Sequence, residues 1–341
     1  MKSQSRMQLT MFSALTSVAL LSGFNLAHAQ SASKKPITIG MVMEARPEVE
    51  PWSAAWHDAA EDLKKADSTI KVLESYDAYD PARAEPVARQ MLDSGANVLA
   101  LTTFVLSDVA KAVSPDYPKV PMSVSSFGVI RDPNLSSVTA SYLEMGYSNC
   151  WLLTKLSKDG RIGVVGAQKA PFETEQFEGC KLGATAANPK SKIVLVNTNS
   201  FTDTQANREQ VKGLLDQGIT EINLMSGTED SVGGLHFCEA NKLHCTTWGG
   251  DARRWAPTST VTTAILDWGI VLKDQIEQAR EGKPQAKSYD LTFGNGGLKA
   301  PDFSKTNAVS ADLQKQFTAM IGDLASGKIE LPASKVHPGL R

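Results

Sequence analysis

Short runs of β-branched and apolar residues alternate with amphipathic stretches along this 341-residue chain, and the alternation runs through the same unit twice. Ile37–Met43, Ile70–Ser75, Asn97–Thr102 and Val120–Ser125 read as buried strands. Between them Ser53–Ala66, Pro81–Asp93 and Ser107–Val113 carry apolar residues at helical spacing, as Trp56, Ala59, Ala60 and Leu63 do in the first. Asp80-Pro81 supplies an N-cap with Pro at the first helical position, and Gly95 stands where a helix C-cap belongs. Pro86 lies inside that segment and is expected to kink it or delay its start. After a helix expected over Tyr142–Leu156 the pattern resumes, with strands at Arg161–Gly166, Ile193–Asn197, Glu221–Met225 and His244–Trp248. Helices are expected at Glu173–Ala187, Thr204–Asp216, Ser231–Ala240 and, near the end, Ser310–Leu324. A shift of 123 positions lays Ile39, Gly40 and Val42 on Ile162, Gly163 and Val165, Asp80 on Asp203, and Leu92 on Leu215. It also lays Asp93 on Asp216, Gly95 on Gly218 and Leu101 on Leu224. Strands alternating with helices call for parallel sheets covered on both faces. The fold class expected is therefore α/β, with two similar Rossmann-like lobes.

The first 29 residues read as a leader rather than as fold. Lys2 and Arg6 open it, Leu9 to Leu26 is mostly apolar or small, and Ala27-His28-Ala29 gives a small-x-small cleavage pattern before Gln30. The product is expected to be exported to a periplasm. Lys plus Arg total 35 against 37 Asp plus Glu, and removing Lys2 and Arg6 moves the net charge from −2 to −4. That balance gives no basic field, so no nucleic-acid partner is expected. Outside the leader no apolar run approaches the roughly 18–20 residues that span a bilayer. An oxidising compartment favours disulfides among Cys150, Cys180, Cys238 and Cys245. Cys238 and Cys245 face each other across a helix-to-strand turn and are candidates for a bridge; Cys150 and Cys180 fall on successive helices, and their pairing stays open. His236 and His244 flank the close pair, but their spacing matches no standard zinc pattern, so no metal is expected. No cofactor is expected either.

Ligands of open parallel sheets lie beyond the carboxyl ends of the strands, where helix N-termini also point. Those tips hold Glu44, Pro51, Trp52 and Trp56, then Thr102, Thr103 and Phe104, then Ser126 and Phe127. In the second unit they hold Phe172 and Phe177, Ser226 to Glu229, and Trp248, Gly249, Gly250 and Asp251. Aromatics are 7% of the chain yet collect there, as in a cleft for a flat, hydrogen-bonding molecule. The candidate contacts are Glu44, Trp52, Phe104, Phe127, Phe177, Trp248 and Asp251. Each has a plainer alternative. Trp56 lies on a helix stripe and reads as core, Phe177 fits helix packing equally well, and Trp52 fits a hydrophobic staple. Asp251 after two glycines suits a turn, and Asp203 an N-cap. If Trp52 faces a ligand, truncating it should weaken binding without unfolding the protein.

The order Ser53-Ala54-Ala55-Trp56, Val98–Phe104, Ile162-Gly163-Val164-Val165-Gly166 to Phe177 and Gly183, Asp216-Gln217-Gly218, and Gly249-Gly250-Asp251 resembles the basic membrane protein family. These are substrate-binding proteins of the purine-nucleoside-receptor-like branch of type I periplasmic binding proteins, and the resemblance runs from Ile37 to about Gly282. It implies two lobes joined by hinge strands that close on a ligand destined for the membrane permease of an ABC importer. It also implies an aromatic sandwich around a purine, with Phe104 and Phe177 matching its rings and Asp251 its carboxylate. On this basis residues 30–140 with about 266–285 form the N-terminal lobe, and 141–265 with about 286–341 the C-terminal lobe. Crossings between lobes are expected near Ser137–Ser141, Ala256–Leu266 and Pro284–Thr292. Two departures stand out: Pro51-Trp52 replaces the family's Phe-Asn, and Leu266 aligns with a ribose-gripping Lys. Loss of that cation favours a free base or related heterocycle over a nucleoside, because unmatched polar groups are costly to bury.

The rival of another class is a hydrolase or carboxylate-dependent nucleosidase. The chain has no G-x-S-x-G, H-E-x-x-H, P-loop or G-x-G-x-x-G, and no His beside a nucleophile at a strand tip. A monomeric binding protein rather than an enzyme is expected, feeding either a permease or a chemoreceptor or sensor kinase.

Overall fold

The computed structural model describes residues 34–76, 78–300, 303 and 308–336. The expected leader lies outside them. In chain order the first half runs β1 (Ile37–Val42), α1 (Pro51–Ala66), β2 (Ile70–Ser75), α2 (Pro81–Asp93), β3 (Val98–Leu101), α3 (Ser107–Val113), β4 (Met122–Ser125) and β5 (Leu135–Ala140). Then come α4 (Tyr142–Leu156), β6 (Arg161–Gly166), α5 (Pro171–Ala187), β7 (Lys192–Asn197), α6 (Thr204–Asp216), β8 (Glu221–Leu224), α7 (Glu229–Asn241), β9 (His244–Gly249) and β10 (Thr260–Leu266). The chain closes with α8 (Gly269–Glu281), β11 (Ser288–Leu291), β12 (Leu298–Lys299) and α9 (Ala311–Ala325).

These strands form two six-stranded sheets, in the orders β11-β5-β4-β3-β1-β2 and β12-β10-β9-β8-β6-β7. The shared strand order is the structural form of the 123-residue repeat. Among the described strands only β12 runs antiparallel, against β10. The chain is thus α/β with two Rossmann-like lobes. Local chemistry explains the repeat: Asp80 accepts from Ala82 N–H at 3.0 Å before α2, and Asp203 from Ala206 N–H at 2.8 Å before α6. Pro86 sits inside α2 without ending it.

The chain passes between the sheets at Ser141, at Asp267-Trp268, and at 292–297. Residues 256–266, expected as a crossing, instead hold all of β10, whose Thr260, Thr262 and Thr263 are buried. β11 belongs to the first sheet, beyond the 266–285 stretch given to that lobe from sequence. α8 packs on α1, β1 and β3 of the first lobe, and α4 on β8, β9 and β10 of the second.

α4 and α5 approach unusually closely. A Cβ on Gly179 would stand 2.1 Å from the Leu143 carbonyl oxygen, and one on Gly183 2.1 Å from that of Tyr147. A disulfide between Cys150 and Cys180, Cα atoms 5.0 Å apart, fastens the same pair of helices. Cys238 and Cys245 form the second bridge, across the α7–β9 turn, with Cα atoms 6.4 Å apart. No helix among the described residues is long and apolar enough to cross a membrane.

Candidate functional site

Parallel pairing sends the carboxyl ends of β1 to β4 and of β6 to β9 toward one region between the lobes. A cleft of about 280 Å³ lies there, and its lining follows the strand tips. Glu44 follows β1, Tyr79 follows β2, Thr103 and Phe104 follow β3, and Ser125, Ser126 and Phe127 end β4. The second lobe supplies Gln168 and Phe172 after β6, Phe201 after β7, Ser226 and Thr228 after β8, and Trp248 in β9. Trp52 in the first turn of α1 and Tyr142 in the first turn of α4 complete the wall. No Lys, Arg or His is among the lining residues.

The rings form a continuous aromatic surface. Phe127 and Phe172, one from each lobe, lie nearly parallel at 20° with centroids 6.1 Å apart. Phe104 meets Phe172 at 6.3 Å, Tyr142 meets it at 5.4 Å, and Phe201 stacks behind it at 6.0 Å. Two ring-to-ring contacts of ~3.5 Å require ~7 Å between the outer rings of a sandwich. Room for a flat molecule between Phe127 and Phe172 would require the first-lobe ring to move by roughly 1 Å. Phe104 and Phe127 are 43% and 37% exposed and free to do so, whereas Phe172 is 6% exposed and braced from behind. Phe201 supplies the bracing, and the α4–α5 clasp ties together the helices whose first turns carry Tyr142 and Phe172.

At the polar end, burial pushes the Glu44 carboxyl above the usual glutamate range, opposed by the neighbouring Thr103 and Tyr79 hydroxyls. The Ser125 hydroxyl is buried with no protein partner among the described residues, and those of Thr103 and Ser226 are buried with the Glu44 and Asp230 carboxyls beside them. Unpaired buried donors and acceptors are costly, ~1–3 kcal/mol each, and native proteins rarely leave them so. Three buried hydroxyls in one cleft, two from one lobe and one from the other, leave hydrogen-bonding capacity for the polar atoms of an occupant.

Of the seven expected contacts, the structure brings together Glu44, Trp52, Phe104, Phe127 and Trp248. Phe177 and Asp251 lie elsewhere. Five residues along α5 from Phe172 amount to a rotation of ~140° at 3.6 residues per turn. Phe177 accordingly turns from the cleft, and the Lys181 ammonium lies 5.3 Å over its ring. Asp251 caps the short helical turn Ala252–Arg254 by accepting from Arg253 N–H at 3.1 Å, and its carboxylate pairs with the Arg253 guanidinium. The glycines before it serve packing: a Cβ on Gly250 would stand 2.7 Å from the Pro51 carbonyl oxygen. Trp52 lines the cleft but is only 8% exposed. Its Nε1 donates to Thr102 O at 2.9 Å, its N–H to Gly227 O of the second lobe at 3.0 Å, and it packs edge-on to Trp248 and Trp268. Truncating Trp52 is expected from sequence to weaken binding without unfolding the protein; its burial gives it a share in the core as well.

Phe172 was within reach of the sequence. Pro51-Trp52 and Pro171-Phe172 place an aromatic after a helix-opening proline in both copies of the repeat. Tyr79 and Phe201 likewise stand just before the paired caps Asp80 and Asp203. Tyr142, on the crossing itself, carries no such signal.

Two parallel-sheet lobes linked by three crossings, with an aromatic cleft between them at the strand tips, define a binding protein of the periplasmic type. The model of the PnrA-like ABC transporter substrate-binding proteins matches residues 37–335, and the chain belongs to that family. A purine-binding protein of Brucella abortus is 22% identical over 288 residues, which cover 84% of this chain and 81% of that one. Basic membrane protein A1 of Borrelia garinii is 28% identical over 185 residues, about half of each chain (52% and 54%). An ABC transporter solute-binding protein from Conexibacter woesei superposes with a TM-score of 0.74 at 26% identity, covering 87% of this chain and 98% of that one.

Proposed function

We propose that this substrate-binding protein captures a purine-type free base between its lobes and presents it to an ABC permease. The observation that carries the reading is the set of buried hydroxyls of Thr103, Ser125 and Ser226, with hydrogen-bonding capacity left over, within walls that are mostly aromatic. Flat faces for the rings and several hydrogen-bonding atoms on the rim are what a nucleobase offers. The volume, about 280 Å³, lies at the small end of ligand pockets, ~300–1,000 Å³. Leu266, which stands where a ribose-gripping cation was sought, is 2% exposed and packs in the core. Both points favour a base without its sugar, and the purine-binding relative from Brucella supports the class.

In this reading Phe127 and Phe172 clamp the rings, with Phe104, Trp52 and Trp248 around them. Glu44 meets the N–H edge, while the three hydroxyls complete the rim. Binding links the lobes and shifts the population toward the closed form, which the permease reads. Residues 1–29 act as a cleaved export leader, and the monomeric protein works in the periplasm. Calorimetric titration with hypoxanthine, guanine, xanthine, adenine, inosine and guanosine tests the assignment. A free base should bind more tightly than its nucleoside. Tighter binding of a nucleoside, or release of hypoxanthine from inosine, overturns it.

A further inference from the structure

Glu50 stands immediately before α1 in extended conformation, fully buried, at the N-cap position, yet its side chain caps nothing. Ser53 Oγ donates to Glu50 Oε1 instead and accepts in turn from Ala45 N–H at 3.3 Å. This chain of bonds clips the loop that carries Glu44 to the helical turn that carries Trp52. The second carboxylate oxygen, Oε2, is buried with no partner among the described residues.

The titratable groups that face Glu50 are acids or a phenol: Glu44 after β1, Tyr79 after β2, and Glu229 at the start of α7 in the second lobe. Asp230, next along α7, acts on Tyr79 as well. The cations of the adjoining segments are engaged elsewhere. Arg46 lies 5.3 Å over the Tyr76 ring, while Arg254 binds Asp58 at 2.7 Å and Pro47 O at 3.3 Å. The second lobe presses on the residues that follow Glu50, through the Trp52–Gly227 hydrogen bond and the Gly250–Pro51 contact. A buried carboxylate with an empty oxygen, beside other carboxylates and no base, is unfavourable as an anion.

We propose that Glu50 is a positioning residue that keeps one proton on the Glu44–Glu50 pair and thereby ties closure over the ligand to pH. The proposal rests on the cleft being the purine site. Burial and the charge of Glu44 raise the Glu50 pKa against the Ser53 hydrogen bonds that lower it, and Glu229 of the second lobe raises it further, an effect that grows as the lobes approach. A form whose acid pKa is raised binds more protons, so closure gains as pH falls and weakens as pH rises through the raised value.

The test has two arms. Carboxyl-13C NMR of glutamate-labelled, ligand-free protein, with Glu50→Gln to assign the resonance, should show Glu50 titrating well above the ordinary glutamate range. Calorimetry with hypoxanthine in buffers of different ionisation enthalpy should show proton uptake, with affinity rising by up to about tenfold per unit as pH falls between about 8 and about 6. Glu50→Gln should bind with a flat pH profile and no uptake, whereas Glu50→Ala should weaken binding at every pH. An ordinary Glu50 titration, or wild-type affinity independent of pH, overturns the proposal. Failure of hypoxanthine to bind refutes the purine reading alone, and the carboxyl titration still decides the state of Glu50.

Discussion

Phe127 and Trp52 both line the cleft, and replacing each by alanine separates ligand contact from core packing. An aromatic side chain carries 150–250 Å² of surface. Phe127 is 37% exposed, which leaves ~75 Å² for a ligand to cover, on a mid-range area of ~200 Å². At ~25 cal/mol per Å² this amounts to ~2 kcal/mol, within the ~1–3 kcal/mol seen for base stacking on an aromatic ring. Phe127→Ala should therefore raise the hypoxanthine Kd about 30-fold while moving the melting temperature little. At 8% exposure Trp52 offers the ligand far less area; its truncation opens the core and removes the indole's hydrogen bond to Thr102 O. Trp52→Ala should cost ~3–5 kcal/mol of stability, read by urea unfolding, before any effect on Kd is counted. If Phe127→Ala binds hypoxanthine within twofold of wild type, or if Trp52→Ala leaves the unfolding midpoint unchanged, the division of labour argued here is wrong.

Glu173, buried and accepting from Ala167 N–H at 2.9 Å, has its pKa raised to about 7, chiefly by burial. The folded state thus holds a proton that the unfolded chain has lost, so stability should fall as pH rises from about 5 to about 7, and Glu173→Gln should flatten that slope in urea titrations. Opening the Cys150–Cys180 bridge, whose half-cystines are 30 residues apart, should cost roughly 3–4 kcal/mol by loop entropy. The Cys238–Cys245 bridge, at a separation of 7, should cost about 2 kcal/mol, as paired Cys→Ala variants would measure. Gly179→Ala forces a Cβ to within 2.1 Å of Leu143 O, which should cost ~1–3 kcal/mol and, by parting α4 from α5, weaken hypoxanthine binding as well.

The regular part of the fold was legible in the sequence because its strands are apolar runs and its helices carry caps. Ile70–Ser75 and Arg161–Gly166 match their expected strands end for end. β5 and β10 escaped because they are rich in Ser and Thr, buried on both faces, and show neither an apolar run nor alternation. Most of the cleft followed from the rule that parallel strands gather their carboxyl tips. Phe177 and Asp251 stood at strand tips and also matched the family's ring and carboxylate, while the ring that lies in the cleft, Phe172, is about one turn nearer the strand. The buried hydroxyls of the cleft and the Glu50–Ser53 clip are products of tertiary packing, and no residue pattern announces them.

A crystal structure of the protein grown with hypoxanthine tests the central claim most directly. The bicycle should lie between Phe127 and Phe172, its N–H edge at Glu44, with Thr103, Ser125 and Ser226 hydrogen-bonded to it. A base bound away from these rings, or a cleft still empty at saturating concentration, would contradict it.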